Sequence, residues 1–126
     1  MDTAHIIGRR LAALREESGF TQEDIQKLTG INRTTYSKNE SGKAAPSLTN
    51  LRIFAKIYGV SLDYLCDIDS RKGVTLYDSG NKETKEEKML ISYYRLLKDD
   101  DKEKLMKLLE SEAAENISEM LNSDKM

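Results

Sequence analysis

The sequence predicts an all-α chain, with a small helical domain, a connecting stretch and a second helical region. Three observations predict it. Apolar residues recur at three- and four-residue steps, capping side chains are followed by stopping glycines, and a single proline occurs in 126 residues. No long alternation of Val, Ile and Thr competes for strand. The length suits one modest core with an appendage rather than two large cores.

The elements follow in order. Residues 6–18 place Ile7, Leu11 and Leu14 on one stripe with Arg9, Arg10 and Glu16 away from it, and Gly19 ends this first helix before Phe20 packs. Thr21 is a cap with Asp24 as its reciprocal partner, and Ile25 and Leu28 face inward. Gly30 makes a turn. Asn32 then caps a second short helix from Arg33, which stops at Gly42. After Pro46, Ser47 caps a fourth helix whose buried side is expected to be Leu48, Leu51, Phe54, Ala55 and Tyr58, closed by Gly59. Ser61 caps a fifth, with Leu62 and Leu65 closing the core. Residues 67–82 carry two glycines, two serines and three aspartates without helical periodicity and read as a linker, in which the VTLY run is too short to imply a sheet. Leu90, Tyr93, Tyr94 and Leu97 mark a further helix. Asp99 to Asp101 break it and cap the next, whose stripe runs through Leu105, Met106, Leu108, Leu109, Ala113, Ile117, Met120 and Leu121. The expected division is 1–66, 67–82 and 83–126.

Charge is unevenly spread. The net charge is −2, but residues 1–66 hold nine basic against seven acidic side chains, and residues 67–126 hold eleven against fifteen. The first part is the better fitted to approach phosphate. One cysteine, Cys66, and one histidine, His5, exclude an internal disulfide and leave no conventional metal set, so no cofactor is expected and both residues read as structural or incidental. No paired carboxylates, Cys/His pair or glycine-rich phosphate loop suggests an enzyme. With no signal peptide or long apolar run, the expected location is cytoplasmic, away from membrane.

The run from Ile7 to Cys66 resembles the helix-turn-helix domain of the Cro/C1 (XRE-type) repressors. The resemblance is carried by Arg15, the GFTQED opening with Gln22, Gly30, the NRTTYSK segment, the ESGK ending with Glu40 and Gly42, Pro46-Ser47, and GVSLDYL, in order and without gaps. It implies a five-helix, lambda-repressor-like domain that places the helix from Arg33 in the major groove of double-stranded DNA. Gln22 and Lys43 would then meet phosphates. Arg33 would read guanine, Thr34 a base edge or thymine methyl, and Thr35, Ser37 and Lys38 would be the next readers. By residue type alone, an ordinary solvated helix face is the better reading of Arg33 and Lys38, and the resemblance reverses it. The resemblance also implies that Glu40 pairs with Arg15 as a brace. Tyr36 reads as core. Two departures stand out: Gln26 replaces the family's usual alanine, and Asn39 a usual apolar residue. Each amide would cost about 1–3 kcal/mol if left without a partner, so local rearrangement or edge exposure is expected, with Leu28 and Tyr36 taking over packing.

The C-terminal helices cannot bury both apolar faces alone and need the N-terminal domain or another copy. Leu90, Tyr93, Tyr94, Leu97, Leu105, Leu108, Leu109, Ile117 and Leu121 are the expected dimerisation residues. The expected function is a repressor acting as a homodimer on an inverted repeat. The alternative is an antitoxin or adaptor whose C-terminal helices bind a toxin or antagonist protein.

Overall fold

Five side-chain caps and four glycine stops divide the first part of the chain into helices in the computed structural model, which describes residues 2–68 and 83–123. The helices are α1 (Thr3–Ser18), α2 (Gln22–Thr29), α3 (Arg33–Ser41), α4 (Leu48–Tyr58), α5 (Leu62–Leu65), α6 (Lys85–Leu96) and α7 (Asp99–Ser123). Among the described residues there is no strand. Helix α1 starts earlier than its apolar stripe suggested, because the Asp2 carboxylate accepts from the His5 amide at 3.0 Å and so adds a turn. Its ring nitrogen also meets Asp2, at 2.7 Å, which gives His5 a role in the cap.

The core gathers Ile7, Leu11 and Leu14 of α1, Phe20, Ile25 and Leu28 around α2, Tyr36 of α3, and Leu51, Phe54, Ile57 and Tyr58 of α4, with Val60 and Leu65. Tyr36 is wholly enclosed. Its ring meets Phe54 edge-on at 5.3 Å and its hydroxyl lies 2.7 Å from that of Tyr58, so its one polar atom is satisfied inside the core. Two expected core residues are not core. Leu48 is 69% exposed because it is the first residue of α4, ahead of its first buried residue Leu51, and Leu62 holds the same position in α5 at 36%. Ile57, unmarked in the sequence reading, is fully buried and completes the stripe.

Gly8 sets how closely α3 can lie on α1. A Cβ there would sit 2.6 Å from the Asn39 carbonyl oxygen and closer still to that of Glu40, so both are backbone contacts that no side-chain rotation relieves. The end of α3 therefore rests directly on the α1 backbone.

Helix α6 belongs to the same compact unit, which ends at Leu96; a second begins at Leu97. The sequence grouped α6 with α7, but Met89 and Leu96 pack on the core, and buried Ser92 between them donates to the Ile57 carbonyl at 3.1 Å. Arg95 donates to the same oxygen at 3.3 Å. Leu90, Tyr93 and Tyr94 are 51%, 41% and 36% exposed. The apolar pattern concealed the packed face because a serine lies at its centre. Of the expected linker, Asp67 and Ile68 are described: Asp67 has φ 62° and accepts from Arg10 at 2.9 Å. The remainder, with the VTLY run, lies outside the described residues.

Helix α7 constitutes the second unit. Met106, Leu108, Leu109, Ile117, Met120 and Leu121 are exposed on it, and Leu105 is half-buried. No helix among the described residues is long and apolar enough to cross a membrane.

Gly8→Ala is expected to lower stability by about 1–3 kcal/mol, the usual cost of overpacking, although alanine is the better helix former. Urea unfolding of the two proteins measures it.

Candidate nucleic-acid interface

The α2–turn–α3 unit is built locally before anything external holds it. The Thr21 hydroxyl accepts from the Asp24 amide at 3.1 Å and the Asp24 carboxylate accepts from the Thr21 amide at 2.8 Å, a reciprocal capping box. Gly30 then takes φ 76°, which a side chain would strain, and its amide donates to the Gln26 carbonyl at 2.8 Å. Asn32 caps α3 through the Thr34 amide at 2.7 Å.

The two departures from the family pattern resolve differently. Gln26 is exposed, and its side-chain oxygen accepts from the Arg33 amide at 2.7 Å, adding a second cap to α3. Asn39 is buried. Its amide nitrogen donates to the Ala44 carbonyl at 3.0 Å and fixes the chain after α3, while its oxygen has no hydrogen-bond partner. Its cost is therefore only half offset.

A polar network fixes α3 from behind. Arg15 meets Glu40 through Nε at 2.5 Å and Nη2 at 3.2 Å, and donates to the Phe20 carbonyl at 2.9 Å. Gln22 donates to the second Glu40 oxygen at 3.1 Å. The Arg15 and Glu40 side chains are 16% and 8% exposed, and hydrogen bonding to Glu40 raises the Arg15 pKa above its ordinary value. The fork geometry ties the end of α1, the start of α2 and the last turn of α3 to one point. Burial, with Tyr58 alongside, pushes the Tyr36 hydroxyl far above its ordinary pKa, which keeps the buried face of α3 neutral.

On the solvent side, Gln22, Arg33, Thr34, Ser37, Lys38 and Lys43 line one open polar depression. Six of the seven residues expected to meet DNA thus come together. Thr35 is exposed but lies outside this lining. Arg33 pairs with Glu23 at 2.9 Å, a contact between two exposed side chains that solvent or a base edge can exchange. The depression offers three amide or hydroxyl donors and three cations beside a helix N-terminus, a set suited to phosphate and base edges. The expected dimerisation residues are not gathered in one unit: Leu90, Tyr93 and Tyr94 lie on α6, and Leu97 and the residues after it in the second unit.

Three contributors were missed. Gly8 carried a signal, a glycine inside a helical pattern. Glu23 carried none. Lys85, which meets the capping carboxylate of Asp24 at 2.6 Å, carried none either, since the two are distant in sequence. Among the described residues no cluster of His, Cys, Asp and Glu could hold a metal.

A short helix pair with a glycine turn, a polar outer face and a braced second helix defines a helix-turn-helix protein. Residues 11–65 match the helix-turn-helix family model. The chain is 40% identical over 60 residues to the SPbeta prophage-derived HTH-type transcriptional regulator YonR of Bacillus subtilis, covering 48% of this chain and 56% of that one. It is 36% identical over 62 residues to the HTH-type transcriptional regulator YazB of Bacillus subtilis, covering 49% of this chain and 90% of that one. With the cryptic phage CTXphi transcriptional repressor RstR of Vibrio cholerae it shares 38% identity over 60 residues, 48% of this chain and 54% of that one. The chain thus spans about half the length of YonR and RstR. No solved structure matches it. The chain belongs to the Cro/C1-type (XRE) helix-turn-helix family of DNA-binding transcriptional regulators.

The Asp24 carboxylate yields a pH signature. Burial would raise its pKa, but hydrogen bonds from Lys85 and Thr21 outweigh this and hold it below the usual value. Such a group stabilises the fold above its unfolded pKa of about 4 and loses that contribution as pH falls through the lower folded value. Asp24→Asn is expected to cost about 0.5–2 kcal/mol at pH 7, as a weakened cap does. The deficit should narrow progressively below about pH 4, measured by urea titration across pH.

Proposed function

We propose that the chain is a transcriptional repressor, working in the cytoplasm, that occupies an inverted-repeat operator as a homodimer with α3 in the major groove. The observation that carries this reading is the depression lined by Gln22, Arg33, Thr34, Ser37, Lys38 and Lys43, placed opposite the buried Tyr36. Arg33 leaves Glu23 to bond guanine O6 and N7, and Thr34 and Ser37 supply hydroxyls to neighbouring edges. Lys38 and Thr35 extend the face. Gln22, at the N-terminus of α2, and Lys43, just past α3, bond phosphates and set the register without reading sequence. One short helix reads few base pairs, so a two-fold pair reading two half-sites supplies the missing affinity and specificity.

The test is binding to a DNA site selected by this protein from a random pool, against scrambled DNA, at several salt concentrations. A specific preference that survives rising salt is expected, and equal affinity for both DNAs would contradict the reading. Arg33→Ala should weaken binding to the selected site by about 1–3 kcal/mol and relax specificity there. Lys43→Ala should weaken both DNAs alike and reduce the salt slope by about one.

A further inference from the structure

We infer that the homodimer is held by antiparallel pairing of α7 with its copy, the two helices crossing at Ala113. This rests on the homodimer reading and adds to it the helix, the orientation and the register. A helix of 25 residues with its apolar side in water is not stable alone, and on α7 Met106, Leu109, Ile117, Met120 and Leu121 are each 42–69% exposed.

The order of these residues favours one partner. At about 100° per residue, Leu105, Leu109, Ala113, Ile117 and Leu121 fall on one stripe with Met106 and Met120, while Leu108 lies about 60° beyond its edge, and the apolar positions of the stripe are symmetric about Ala113. Leu105 and Leu121 are equidistant from Ala113, as are Met106 and Met120, and Leu109 and Ile117. Two antiparallel copies centred on Ala113 therefore stack Leu105 against Leu121, Met106 against Met120 and Leu109 against Ile117 in paired layers. At the centre Ala113 meets its own copy, where a small side chain permits close approach. A parallel pair has no need of this symmetry.

Charge points the same way. The cations of α7, Lys102, Lys104 and Lys107, all precede residue 108, whereas Glu110, Glu112, Glu115 and Glu119 follow with no cation among them. Parallel pairing would set each of these glutamates level with its own copy; antiparallel pairing about Ala113 sets Glu119 level with Lys107, and Glu110, Glu112 and Glu115 level with the uncharged Asn116, Ala114 and Ser111.

The experiment uses the full chain carrying Cys66→Ser. Single nitroxide labels are introduced at the exposed outer positions by Ser111→Cys, Ser118→Cys and Asn122→Cys, and read by pulsed dipolar spectroscopy with light scattering. Antiparallel pairing predicts dimer mass and axial label separations growing from about 6 Å at 111 to about 15 Å at 118 and about 27 Å at 122, at about 1.5 Å rise per residue. Three equal short distances in a dimer would overturn the orientation and leave the homodimer. A dimer with no measurable coupling would place the contact elsewhere and overturn the inference. A monomer mass would overturn the homodimer itself and leave α7 to a different protein.

Discussion

The ion pair between Arg15 and Glu40 is the constraint on which presentation of α3 depends. Helix α3 is short, its mean composition is polar, and only Tyr36 and Asn39 on it are buried. Such a helix has little hydrophobic hold of its own. Glu40 supplies the missing one by accepting from Arg15 on α1 and Gln22 on α2 at once. Removing one member of a buried pair strands the other and costs up to about 3–5 kcal/mol. The residual exposure of Arg15 places this pair at or below the low end of that range. The brace therefore contributes modest stability, but it fixes an orientation, on which the proposed major-groove reading by α3 depends.

The contacts around the brace share that purpose. Gly8 lets the α3 backbone descend onto α1, so the pair can close at hydrogen-bonding distance. Gln26, which would be a liability under α3, lies at its edge and caps it. From the other side, α6 reaches α2 through Lys85 on the capping carboxylate of Asp24 and through Tyr93, whose hydroxyl donates to the Lys27 carbonyl at 3.4 Å. The α2–α3 pair is thus held by α1 beneath and α6 beside it, while its polar face stays open.

Local chemistry was legible in the sequence; of the long-range contacts the Arg15–Glu40 pair was legible through the family resemblance, and the packing of α6 was not. Thr21 with Asp24, Gly30, Asn32 and Ser47 act over three or four residues, so their roles follow from spacing alone, and the helices they bound lie where they predict. Leu48 and Leu62 misled because first-turn residues share the periodicity of a stripe without reaching the core. Helix α6 misled in the opposite way: its packed face centres on Ser92, whose hydroxyl finds the Ile57 carbonyl, a partner no periodicity reveals. Of the candidate interface, residue identities were legible through resemblance to a family. The contact of Arg33 with Glu23 and the support from Lys85 depended on the folded geometry.

The most direct measurement is a double-mutant cycle on Arg15→Ala and Glu40→Ala, read as affinity for the DNA site that the protein selects from a random pool, with helical content monitored by circular dichroism. If the pair orients α3, each single variant stays helical and loses affinity. The double variant should then lose little more than the worse single, a coupling of about 1–3 kcal/mol. Folded variants that bind the selected site as tightly as the parent chain would contradict the account.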